Sequence, residues 1–182
     1  MKVGIVVPMF SGDAGKALAA AREAEALGFD GVFAFDHFFP PAGSPERPAL
    51  EAFTTLGAVA AVTERVTLGT LVTRASLRPT GLLAKTAAWL DTASAGRLVL
   101  GVGTGDPIDR PEHRAYGIRM LDNSERRAHL EETLAALQAL FRGEGFEGGD
   151  WVPPLAGPLR PPPARPGGPP LWVGGQAEAV IR

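Results

Sequence analysis

The 182-residue sequence predicts an α/β fold built on parallel strands. Short apolar runs begin near residues 3, 31, 66, 98 and 171, and a segment with helical spacing separates each from the next. The runs are continuously apolar, as strands covered on both faces are. Connections long enough to hold a helix make successive strands parallel, with right-handed crossovers. Such a pattern fits a five-strand doubly wound sheet. It equally fits five-eighths of a (β/α)8 barrel, a fold that typically takes about 250 residues. Periodicity alone does not choose between them.

The first strand is the run at residues 3–7, closed by Pro8. Residues 14–27 are rich in Ala, Glu, Arg and Leu and predict a helix, stopped by Gly28. Residues 31–35 form the second strand and end at Asp36 and His37, before a Pro-rich loop over 40–48. A helix over 50–62 and a third strand over 66–72 follow. Residues 79–91 predict a helix with Leu82, Leu83, Ala87 and Leu90 on one face. The fourth strand, Leu98, Val99 and Leu100, runs into the glycine-rich turn Gly101, Val102, Gly103, Thr104, Gly105. The helix at 124–141 has Leu130, Leu134, Leu137 and Phe141 as its apolar stripe, with Asn123 or Ser124 as cap and Gly143 at its end. Residues 153–170 are dominated by Pro and predict a long covering loop that governs substrate access. Leu171, Trp172 and Val173 form a fifth strand, and residues 177–182 begin another helix.

Composition narrows the function classes. Hydrophobic residues make up 45% and charged residues 21%, with a net charge of -2, which is ordinary for a globular domain. No basic stripe predicts a nucleic-acid partner. Cysteine is absent, and His37, His113 and His129 are scattered, so no metal site is expected. No apolar run is long enough to span a bilayer, and the start reads as a strand rather than a signal peptide, so a cytoplasmic protein without a membrane partner is expected.

Five stretches then agree in type and order. They are LGFDGVFAFDHF around Asp36 and His37, VTLGTLVT around Thr70, LLAKTAAWLDTASAGRLVLGVGTGD, ERRAHLEETLAALQALFRGE, and PPLWVGG. With them the chain resembles the luciferase-like oxidoreductases, especially the branch that uses the deazaflavin coenzyme F420. The resemblance runs from Lys2 to Arg182, and implies a (β/α)8 barrel with the cofactor ring over the strand carboxyl ends. Family members continue through three more strand–helix units, so the barrel here is incomplete, with about five parallel strands. A homo-oligomer is expected, because an open barrel exposes unpaired edges.

The implied reaction passes a hydride between coenzyme F420 and a small-molecule substrate. FMN-dependent monooxygenase chemistry is the alternative, and a non-catalytic dimerisation or binding scaffold is a third reading. His37 is the first catalytic candidate, because a histidine can move a proton beside a transferring hydride. Asp36 joins the cofactor-binding candidates, with its carboxylate facing away from His37. Asp106 is the second catalytic candidate: the resemblance places it where sugar-phosphate dehydrogenases of this branch carry a glutamate acid. Its structural role would be a helix cap before Pro107. The resemblance also implies a non-proline cis peptide at Leu71–Val72, against the back of the ring. Thr73, Thr104 and Gly105 are expected to meet the cofactor. Gly174, Gly175 and Gln176 are expected to offer backbone N–H groups to its phosphate. Trp89 and Trp172 are expected in the core. His113, Arg114, Arg119 and His129 are expected on the surface.

Overall fold

The computed structural model describes residues 1–41 and 45–175. Its elements are β1 (Gly4–Val6), α1 (Ala14–Ala26), β2 (Gly31–Ala34), α2 (Ala52–Val62), β3 (Thr67–Thr70), β4 (Thr73–Arg74), α3 (Thr80–Ala93), β5 (Leu98–Gly103), α4 (Arg110–Ala115), α5 (Asn123–Phe141) and β6 (Leu171–Gly174). All strand pairings are parallel: β1 with β2, β2 with β3, β3 and β4 with β5, and β5 with β6. Because β3 and β4 follow one another along the same side of β5, they are two halves of one interrupted strand. Five parallel strand positions thus form an open arc, an incomplete (β/α)8 barrel. The helix expected at 177–182 lies outside the described residues.

Strand alternation gives the arc two unlike faces. Val32, Ala34, Leu68, Leu98, Leu100 and Val102 are fully buried beneath the helices. The small residues Ala17, Ala21 and Ala24, at three- and four-residue steps, let α1 approach the sheet closely. The inner face carries Gly4, Gly31 and Gly69 around the ring of Phe33, where a Cβ would collide. Phe33 in turn stacks on Trp172, with centroids 5.7 Å apart.

Several expectations change. The fourth strand extends through Gly103, so Gly101 and Gly103 are strand residues rather than a turn. Pairing with β6 on one side and β4 on the other holds them in the ladder. The cap of α5 is Asp122, not Asn123 or Ser124: its side chain accepts from Ser124 N and Glu125 N, while Glu125 returns a bond to Asp122 N. The buried face of α3 holds Leu83, Ala87 and Leu90 as expected, together with Ala84, Ala88 and Asp91, but leaves Leu82 and Trp89 more than half exposed. Trp172 is also half exposed, because it lies on the open inner face. His113 is buried, with Nδ1 3.3 Å from the Arg119 carbonyl. His129 is half-buried and stacks on Trp151.

The Pro-rich segment does not cover the cleft. The Arg165 guanidinium donates to Asp91 (2.5 Å) and to the Leu98 carbonyl, at the start of β5. Lys85 and Thr92 of α3 donate to the carbonyls of Arg160 and Pro162. The segment is therefore strapped along α3 to the amino-terminal end of the barrel, opposite the strand carboxyl ends.

Candidate active site

Between β3 and β4 the backbone leaves the ladder at Leu71–Val72, and that peptide is cis. Register is kept by Thr70, which is fully buried. Its hydroxyl donates to the Gly101 carbonyl (2.7 Å) and accepts from Gly101 N (3.1 Å), bridging the gap in the pairing. Val72 turns onto the inner face, where β5 and β6 have no side chains to meet it. A Cβ on Gly103 would lie 2.6 Å from Val72, and one on Gly174 would lie 2.8 Å from it.

This bulge forms the floor of a cleft of about 830 Å³ at the strand carboxyl ends. Leu71, Val72, Gly103, Gly174 and Gly175 line it on one side, His37 and Phe35 on another, and Thr104, Gly105 and Asp106 on the β5 side. The sequence candidates His37, Leu71, Val72, Thr104, Gly105, Asp106, Gly174 and Gly175 are thereby brought to one cavity. Gln176 lies outside the described residues. Asp36 and Thr73 stand behind the cleft wall. The Thr73 hydroxyl donates to Asp36 at 2.5 Å, and Arg78 bridges Asp36 to Glu51. The Asp106 side chain accepts from Ile108 N at 3.1 Å, capping the turn that leads into α4. The Thr104 hydroxyl bonds the Gly105 carbonyl at 3.1 Å.

Charge beneath the cleft is organised by residues that sequence reasoning missed. His37 Nδ1 lies 3.0 Å from Glu112 Oε1. The other oxygen, Oε2, accepts from the Arg74 guanidinium at 2.5 Å. Arg74 also reaches Asp109, at 3.4 Å. Asp109 in turn accepts from Asp106 N at 2.8 Å, which ties the network to the glycine-rich segment. Arg74, Asp109 and Glu112 are all buried. Burial pushes the Glu112 carboxyl up, but hydrogen bonds from His37 and Arg74 more than reverse this and hold it below the ordinary value. His37, Asp109 and Glu112 offer ligand atoms within 4.8 Å of one another. Arg74 already engages one oxygen of each carboxylate, so a guanidinium supplies the positive charge there. The available signal was Asp109 and Glu112, three apart at the start of a helix, with Arg74 just past the third strand.

Arg126 and Arg127, from the first turns of α5, line the same cleft. Nε and Nη1 of Arg126 are buried without a hydrogen-bond partner. Nη2 of the same half-buried guanidinium donates to Asn123, which leaves those two nitrogens for an anion. No helix among the described residues is long and apolar enough to cross a membrane.

Residues 1–182 match the family described as luciferase-like monooxygenase. An F420-dependent glucose-6-phosphate dehydrogenase of Beutenbergia cavernae is 41% identical over 128 residues, 70% of this chain and 37% of that protein. A solved F420-dependent secondary alcohol dehydrogenase, in complex with an F420–acetone adduct, superposes with a TM-score of 0.82 at 25% identity, over 96% of this chain and 52% of that one. The monooxygenase RslO1 from Streptomyces bottropensis gives a TM-score of 0.76 at 28% identity, over 95% and 53%. The chain thus spans little more than a third of the length of this curated relative and about half of each solved structure.

Proposed function

Because the chain belongs to the luciferase-like monooxygenase family, we propose that it carries the cofactor half of an F420-dependent oxidoreductase site. That site moves a hydride between coenzyme F420 and a small organic substrate. The observation that carries this reading is the glycine-lined cleft with His37 at its edge. Val72 together with Gly103 and Gly174 leaves a side-chain-free cradle that a Cβ would fill, suited to the flat ring. Gly174 and Gly175 offer backbone to the phosphate, and the two Arg126 nitrogens without a partner, Nε and Nη1, suit the cofactor's phosphate or acidic tail. When bound, the deazaflavin supplies a carbon that accepts or gives a hydride. His37 faces the reacting region and handles the substrate proton. Asp106, engaged in its cap, helps shape the rim.

Two further parts of this reading rest on separate observations. Membership of a family described as luciferase-like monooxygenase leaves FMN as the alternative cofactor in the same cleft. Among the described residues β1 pairs only with β2, and β6 only with β5, which supports self-association through open edges.

The test is a parallel titration of the purified chain with coenzyme F420 and with FMN. Micromolar or tighter binding of F420 alone is expected, and binding of neither would overturn the reading in favour of a scaffold. In the active protein, His37→Ala is expected to lower turnover by 100-fold or more while F420 binding stays within about threefold. Unchanged turnover would remove His37 from its role.

A further inference from the structure

His37 has two ring nitrogens, and their roles are opposite in the neutral state: one donates and the other accepts. Which is which depends on the partner of Nδ1. That partner is Glu112, at 3.0 Å. Asp109 stands further off, at 3.9 Å. Nε2 has no hydrogen-bond partner among the described residues, and His37 lines the cleft. Phe10 and Phe35 flank the ring, with centroids 6.2 and 6.5 Å away.

We propose that Glu112 is a positioning residue that fixes His37 as its Nδ1–H tautomer and so presents a bare Nε2 lone pair to the cleft. Arg74 makes this possible. Its guanidinium can only donate, and it takes Glu112 Oε2, leaving Oε1 as an acceptor aimed at Nδ1. The network thus spans three elements: His37 follows β2, Arg74 ends β4, and Glu112 sits on α4. In the oxidative direction a substrate O–H bond breaks, its proton forms a new N–H bond at Nε2, and the imidazolium lies beside the Glu112 carboxylate. In the reductive direction the same proton returns to the substrate oxygen. This assignment rests on the proposed role of His37 for its consequence in turnover, but not for its geometry.

The test reads the tautomer directly, by long-range proton–nitrogen NMR of chain labelled at the histidine side chains, without cofactor. The native chain above pH 8 is expected to show His37 as the Nδ1–H form. Predominance of the Nε2–H form would overturn the proposal. Glu112→Gln sharpens the test, because an amide has unlike ends. Arg74 must take its carbonyl oxygen, so the NH2 group faces His37 and forces Nδ1 to accept. The tautomer is therefore expected to invert in the variant, and an unchanged tautomer would overturn the assignment. If Glu112→Gln fails to fold, the native spectrum still decides. In the active protein the variant is expected to lower kcat at least tenfold, with F420 binding within about threefold. A normal kcat alongside an inverted tautomer would count against His37 as the proton carrier while leaving the positioning by Glu112 intact.

Discussion

Val72 and the two glycines facing it show how little at a single residue decides whether the cleft exists. Gly103 would place a Cβ 2.6 Å from Val72 and 3.2 Å from the Gly174 carbonyl. Neither neighbour is a loose side-chain end, since one belongs to the bulge and the other to the backbone of β6. Gly103→Ala is therefore expected to destabilise the chain by about 1–3 kcal/mol, as overpacked sites do. It is also expected to weaken F420 binding at least tenfold. Chemical denaturation and cofactor titration check the two halves, and unaltered binding would show that the cradle at Val72 is not the cofactor floor. The glycine-rich run was legible in sequence, and so was the cis peptide through the family resemblance. That Gly101 and Gly103 sit inside the strand was not legible, because it depends on a valine about thirty residues earlier in the chain.

At the scale of the elements, two carboxylates tie helices to the loops beside them. Glu132 on α5 accepts the N–H groups of Asp150, Trp151 and Val152 at 3.0, 2.8 and 2.8 Å. Glu25 on α1 does the same for Glu64, Arg65 and Val66. Neither tie is legible in the sequence, because the donors lie 18 or more residues away. The histidines of α4 and α5 have a measurable consequence. Burial pushes both His113 and His129 below the ordinary histidine pKa, near Arg74 in the first case. Below about pH 6.5 the unfolded chain takes up protons at these sites that the folded chain refuses. Stability therefore falls as pH drops from 7 toward 5. The paired carboxylates Glu51 and Glu112 are held below their ordinary value and contribute their own loss only at lower pH. His129→Phe keeps a ring against Trp151 and is expected to reduce the drop in denaturation midpoint between pH 7.5 and 5.5. A midpoint that does not move with pH in the native chain would contradict this.

At the scale of the whole molecule, the self-association proposed through β1 and β6, the outer strands among the described residues, is open to test. Light scattering is expected to give a mass above the 19.0 kDa of one chain, and a clean monomer at 100 μM would count against association through the edges. What the sequence determined by itself is local or periodic: the five strand positions, the helices between them, the glycine-rich carboxyl end, and the motif set that places the chain in its family. Those signals depend on neighbours within a few residues. The tertiary structure alone decided the partnership of His37 with Glu112, 75 residues away, and the return of Arg74 beneath it. It also decided the diversion of Asp36 and Thr73 behind the wall, and the strapping of the Pro-rich segment to the far end of the barrel. The reason is physical: a buried charge has to meet a specific opposite charge in space. No periodicity in the chain records where that partner stands.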